Sequence, residues 1–314
     1  MSITALALYS YVLAVQGDSV AKINGEDISS QTYHRRMEYL PGLGRVSVTG
    51  KFVEILPAIA TLDSMVTEML ILQIAKTKGL TPTDTEIDKE IAYRVRLNPN
   101  YTTNWQRYGR TLPELRQQIK VERAQFKIQT EGIVVTETEI KNNYEAAKAT
   151  RFTTPLKVKL RVITVRDEAT KNKVDTGIKG GKKFADLAKE FSTDSTSTLG
   201  GDLGTVEVDA LSDGMKTAIK PVKKGDRTGW LSNDSIFAKF QVEDIIPPAV
   251  VPLDDNIKED IRRDMMLLKG GQKIDIAKLI REARQKADIK IASPEIDKAY
   301  REFVDLEKKA SGGE

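Results

Sequence analysis

The sequence predicts an α+β chain in which a helical lobe, contributed by both chain ends, is interrupted by a small mixed domain of strands and helices. Three observations carry that prediction. Apolar residues recur at three- and four-residue steps in 59–74 and again in 112–129, an alternating β-branched run occupies 156–165, and helical spacing returns from 257 onward. With 314 residues the chain exceeds one small core and suits two compact units.

Composition narrows the function classes. Hydrophobic residues at 40% fill cores and charged residues at 30% coat a soluble surface, which excludes wholesale disorder. The net charge is +4, and 155–248 holds 16 basic against 14 acidic residues with the signs interleaved, so there is no basic stripe for nucleic-acid phosphates. The absence of cysteine excludes disulfides, thiolate metal sites and cysteine nucleophiles, and suits an oxidising envelope location.

Residues 3–15 run without a charge, the length of a signal h-region and short of a full bilayer span. Val15-Gln16-Gly17 offers a small-residue cleavage site, while no lysine or arginine precedes the apolar run, so a cleaved signal, an uncleaved anchor and a buried cytosolic helix all stand. Val20-Ala21-Lys22-Ile23-Asn24-Gly25-Glu26-Asp27-Ile28 reads as a hairpin about Asn-Gly. Ser30 starts a helix that Pro41-Gly42 breaks. Ile59, Leu62, Val66, Met69, Leu70 and Ile74 share one helical face, ended by Gly79. Thr83 with Glu86, and Thr136 with Glu139, have the capping-box spacing of helix starts. Between them 97–109 reads as polar and aromatic loop, and 112–129 as an amphipathic helix through Leu115, Ile119 and Phe126.

The alternating run 156–165 opens the second domain as a strand. A short helix at 184–191, a glycine turn at 200–204 and a closing strand at 237–246, stopped by Pro247-Pro248, complete it. Ile257, Ile261, Met265, Leu268, Ile276, Leu279 and Ile280 resume helical spacing, with Gly270-Gly271 expected to kink or split the helix. The extended segment 288–292 is placed to pair with the opening hairpin, which makes the helical lobe discontinuous. The resulting division is 1–17 as signal or anchor, 18–152 and 249–293 as the helical lobe, 155–248 as the insert, and 294–314 as a tail with a modest helical pattern.

Phe184-Ala185-Asp186-Leu187-Ala188-Lys189-Glu190-Phe191-Ser192-Thr193-Asp194, followed by Gly200-Gly201-Asp202-Leu203-Gly204, resembles the helix-and-turn signature of parvulins (PpiC-type prolyl isomerases). The opening hairpin and Ala75-Lys76-Thr77-Lys78-Gly79-Leu80 are similar to the SurA and PrsA foldases, and the resemblance spans 18–293. It implies an extracytoplasmic foldase, free or anchored by residues 3–15, with a chaperone lobe carrying an inserted parvulin domain and with unfolded or proline-containing polypeptides as clients. Carried over without gaps, the family's two histidine positions fall on Arg161 and Ala238, its acidic position on Asp194, and its proline-gripping apolar pair on Leu211 and Met215 beside Phe237. Prolyl isomerisation requires stabilising a twisted amide against a barrier of ~18–20 kcal/mol. With neither histidine present, weak or absent catalysis is expected, using Asp194 and Arg161 at most.

Each site reading has a plainer rival. Gly200-Gly201 could hold phosphate, but no Gly-Lys-Ser/Thr follows, which leaves a structural turn. Asp194 and Asp202 could form an acid–base pair or cap turn amides, and capping is favoured. His34, the one histidine, lacks metal-ligating company and reads as a solvated helix residue. Met65, Met69, Met265 and Met266 fit promiscuous client binding or ordinary core packing equally. Tyr101, Trp105 and Tyr108 are the stronger candidates for a client contact. No metal or cofactor is expected. Three functions compete: a client-holding foldase, an active prolyl isomerase, and an accessory structural subunit of an envelope complex.

Overall fold

The computed structural model describes residues 18–39, 44–48, 51–219, 223–233 and 236–310. The apolar segment 3–15, the break at Pro41-Gly42 and the tail from Ser311 lie outside them. In chain order the elements are β1 (Ser19–Ile23), β2 (Glu26–Ser29), α1 (Ser30–Glu38), β3 (Gly44–Val48), β4 (Lys51–Ile55), α2 (Pro57–Thr77), α3 (Asp84–Leu97), α4 (Tyr101–Arg107) and α5 (Leu112–Gln129). There follow α6 (Glu137–Arg151), β5 (Thr153–Thr154), β6 (Lys157–Val165), α7 (Glu168–Lys179), α8 (Phe184–Phe191), β7 (Asp202–Glu207), α9 (Asp213–Ala218), β8 (Leu231–Asn233), β9 (Ile236–Ile246) and β10 (Ala249–Val250). The chain ends with α10 (Asp255–Lys273), α11 (Ile276–Lys286), β11 (Ile289–Ile291) and α12 (Pro294–Ala310).

Two compact units emerge: one runs up to Val134 and resumes at Arg263, and the other holds Val135 to Arg262. Helix α6, which the sequence reading gave to the first lobe, therefore clusters with the second unit, and the return passage falls inside α10.

In the first unit β1 is the central strand of a β11-β1-β2 antiparallel sheet, with Ala21 opposite Ile291 and Ile23 opposite Ile289. The β1–β2 turn uses Asn24 at φ 51° and Gly25 at φ 87°, the left-handed region that Asn-Gly tolerates. Asn24 also joins the two chain ends: its N–H donates to the Asp288 carbonyl at 2.9 Å, and its side-chain oxygen accepts from the Asp288 N–H at 2.9 Å. Helix α2 is apolar on more than the single face that its spacing suggested. Ile59, Leu62, Met65, Val66 and Leu70 join Ile23, Ile28 and Tyr33 in one core, whereas Ile71 and Ala75 pack with Val121, Ala124 and Ile128 of α5 in a second. Among the described residues α2 is the helix long and apolar enough to cross a membrane, by length and composition alone. Met65 and Met69 are core packing here, while Met265 and Met266 sit half-buried on α10.

The segment after Pro294 is helix rather than tail: Ile296, Tyr300 and Phe303 of α12 are buried in the first core. Beside them Asp63 of α2 meets the Arg284 guanidinium of α11 at 2.9 Å and accepts from the Tyr300 hydroxyl at 3.4 Å. Arg284 also donates to Glu307 at 2.8 Å and to Thr67 Oγ1 at 2.6 Å. Burial outweighs the attraction of Arg284 and pushes the Asp63 carboxyl up to about 6. A second buried carboxylate, Glu90 on α3, accepts from Arg94 at 3.0 Å, Arg263 at 2.6 Å and Arg123 at 3.5 Å. Burial alone would raise it, yet the bonds from Arg263 and Arg94 hold it below its usual value.

Both expected capping boxes form, and Thr111 with Glu114 makes a third. Gly270-Gly271 does not split α10, which continues to Lys273. A Cβ on Gly270 would stand 2.2 Å from the Gln129 carbonyl, so glycine there permits close approach of α10 to the end of α5.

Candidate functional site

The second unit is built on a four-stranded antiparallel sheet, β7-β6-β9-β8, with β6 at its centre. The β-branched alternation of β6 covers both faces. On one, Val158 and Leu160 pack with Val242, Val208 and Ile219, and Leu211 and Met215 lie half-buried against them. On the other, Ile163 and Val165 pack with Val174, Phe184, Leu187 and Ala188, with Trp230 and Phe237 at the margin.

Arg161 stands where two β-bulges meet, since register shifts at Leu160/Arg161 against β7 and at Lys159/Leu160 against β9. Its guanidinium is wholly engaged. Nη1 donates to the carbonyls of Leu199 at 3.0 Å and Gly200 at 2.9 Å, Nε donates to Glu243, and Nη2 lies 3.6 Å from Asp202. The bond to Glu243 foremost holds its pKa above the ordinary arginine value. The glycine turn fits this clamp tightly. The Val162 N–H donates to the Gly201 carbonyl at 2.8 Å, and a Cβ on Gly201, whose φ is 74°, would stand 2.1 Å from the Val162 carbonyl oxygen. Glycine is required there for both conformation and space.

Asp194 accepts from the Thr196 N–H at 2.8 Å and its hydroxyl at 2.5 Å, and Asp202 accepts from the Gly204 N–H at 2.8 Å. Each carboxylate thus caps its own turn. The bond from Gly204, with Lys159 and Arg161 nearby, holds Asp202 below the usual carboxylate range.

The ungapped carry-over placed Ala238 as partner to Arg161. In the sheet Ala238 pairs with Thr164 and Leu231, whereas Gln241 lies opposite Arg161. Strand alternation puts Ala238 on the face of Leu160 and Val242, with Leu211 and Met215, and puts Arg161 on the opposite face with Ile163. Phe237 pairs with Val165 on that opposite face, where the Lys171 ammonium stands 4.8 Å from its ring centroid. The residues proposed as one site are therefore divided by the sheet. Phe240, half-buried two residues beyond Ala238, stands on the same face as Ala238 by strand alternation, a placement the two-residue period of β9 already implies.

In the first unit the aromatic cluster lies on a short helix, α4, rather than in a loop. Tyr101 and Trp105 fold back onto Ile87, Leu115 and Ile119. Arg94 donates to the Tyr101 hydroxyl at 3.0 Å, and the Trp105 indole donates to the Thr111 carbonyl at 2.8 Å. Of the three rings Tyr108 alone is outward, 74% exposed. His34 is half-buried, edge-on to Tyr33 at 5.4 Å, and not simply solvated.

Comparison with known proteins matches both parts of the chain. Residues 2–134 match the SurA-like N-terminal domain and residues 135–259 the PPIC-type PPIase domain. The foldase protein PrsA of Bacillus subtilis is 27% identical over 241 residues, covering 76% of this chain and 78% of that one. PrsA of Caldanaerobacter subterraneus is 30% identical over 204 residues, covering 61% and 62%. A solved SurA-like chaperone chain of Campylobacter jejuni aligns over 83% of this chain and 95% of its own at 20% identity, with a TM-score of 0.43. The chain thus joins a SurA-like N-terminal domain to a PPIC-type PPIase domain and is homologous to the PrsA foldases across both.

Proposed function

We propose that this chain is an extracytoplasmic foldase that holds unfolded polypeptide clients and whose PPIC-type domain has little isomerase activity. The supporting observation is the commitment of Arg161, at the position where the resemblance expects a histidine, to the glycine turn, Glu243 and Asp202, on the sheet face away from Leu211 and Met215. A group locked in such contacts is not available to lower the barrier of a client's X–Pro bond. The half-buried apolar face of Leu211, Met215 and Phe240 is retained for binding polypeptide. An extracytoplasmic location rests on the homology to PrsA and on the apolar run at 3–15, as signal or anchor.

The test is a protease-coupled peptide isomerisation assay beside light scattering of an aggregating unfolded client, on one preparation. Suppressed aggregation with near-background isomerisation is expected. Strong turnover by the unmodified protein overturns the reading, and inertness in both assays favours a structural accessory role. The double variant Arg161→His/Ala238→His is expected to gain no catalysis, because the two positions are on opposite faces and three pairing steps apart.

A further inference from the structure

The first unit contains a cavity of about 240 Å³ bounded by α1, α2, α4 and α5. That volume falls below the ~300–1,000 Å³ of sites for drug-sized ligands, so it suits a single residue of a larger molecule. Its lining carboxylates are already matched. Both carboxylate oxygens of Glu68 accept from Nη1 of Arg36 at 2.6 Å, and Glu114 lies 2.6 Å from Arg35. The remaining cation on the wall is Arg110. Its guanidinium carbon stands over each of two rings, 5.1 Å from the centroid of Tyr39 and 4.7 Å from that of Trp105. Both rings are anchored, Tyr39 by a bond from Arg35 at 3.1 Å and Trp105 by its bond to Thr111. Among the described residues Arg110 makes no ion pair, and its Nε is buried without a hydrogen-bond partner. A cation–π contact uses none of a guanidinium's N–H groups, so those of an arginine with no ion pair are left for a planar acceptor. The cavity wall also carries Thr61, 3% exposed, whose hydroxyl has no partner.

We infer that this cavity is a carboxylate-reading subsite, in which Arg110 receives the carboxylate of a polypeptide residue whose apolar part enters between α2 and α4. The carboxylate has two possible sources, a free chain terminus or an acidic side chain beside an apolar residue. This subsite rests on the reading of the chain as a polypeptide-binding foldase and adds to it a specificity the fold alone does not imply.

The test uses the whole protein and three fluorescently labelled peptides of one length, read by anisotropy. One ends in phenylalanine with a free carboxylate, the second is its C-terminal amide, and the third is an amide with an internal aspartate before phenylalanine. At least one carboxylate peptide is expected to bind the unmodified protein about tenfold tighter than the plain amide, as charge-assisted bonds to arginine warrant. Preference for the first or the third assigns the source. Arg110→Gln is expected to abolish the difference and Arg110→Lys to restore part of it. Equal binding of all three peptides overturns the inference whether or not any variant folds, as does an undiminished preference in folded Arg110→Gln. Suppressed client aggregation alongside equal peptide binding would leave the foldase reading standing and remove only the subsite.

Discussion

Asp63 couples the packing of α11 and α12 on α2 to pH in an uncommon direction. Its folded-state pKa is raised from 3.8 to about 6, because burial among α2, α11 and α12 costs more than Arg284 returns, while Glu307 opposes ionisation further. The folded protein therefore holds a proton at pH values where the unfolded chain has released it. Stability from this site is absent above about pH 6 and accrues as pH falls, at up to about 1.4 kcal/mol per unit, until the unfolded value is reached. Between pH 7.5 and 4.5 that amounts to roughly 2 kcal/mol. Asp63→Asn fixes the neutral form, so the stability of the unmodified protein minus that of the variant should rise by this amount on acidification, with other titrating groups cancelling. Urea unfolding followed by Trp105 fluorescence in a Trp230→Phe background reports on the first unit alone. Parallel pH profiles for the two proteins, or a relative loss by the unmodified protein at low pH, would refute the argument.

Glu90→Gln should leave Arg94, Arg123 and Arg263 crowded without their shared anion and cost about 3–5 kcal/mol in the same fluorescence transition. Gly201→Ala combines a positive φ with a Cβ 2.1 Å from the Val162 carbonyl oxygen, so the second unit should lose at least about 2 kcal/mol, read by Trp230 fluorescence; an unchanged midpoint would contradict the close approach. Ending the chain at Ser293 removes three buried side chains of α12, each contributing about 1.5–3 kcal/mol, and should lower the melting temperature of the first unit by circular dichroism while leaving the second intact.

What was legible in the sequence was mostly local, or carried by strong alternation. The two expected capping boxes need only a hydroxyl and a carboxylate three residues apart, and the hairpin needs only Asn24-Gly25. The β1–β11 pairing could be anticipated because 288–292 is an extended run with no partner nearby in sequence. Helix α4 was not legible: seven residues, Tyr101 to Arg107, are too few for a period to show, and their order comes from packing on Ile87 and Leu115. Gly270-Gly271 reads as a break from sequence alone, because the reason for glycine lies on Gln129 of another helix. The site suffered from carrying positions over by count alone: the β6–β9 register is regular from Arg161 opposite Gln241 to Thr164 opposite Ala238, and an offset of three residues puts Arg161 and Ala238 on opposite faces of the sheet. The α12 pattern was visible, but its depth of burial depends on partners at the far end of the chain.

The hydrogen-bonded junction of Asn24 with Asp288 and the β1–β11 register also set an order of events on a chain delivered from its N-terminus. When β1 and β2 emerge they lack the strand that completes their sheet, and it arrives only after every residue of the second unit. The inserted unit draws its contacts from one continuous stretch and can close as soon as that stretch is available, whereas the first must wait with an unpaired strand edge and with the part of α2 that meets α11 and α12 uncovered. A protein whose relatives assist the folding of others thus passes through an interval in which its own oldest segment is a client, held open until its last strand is delivered.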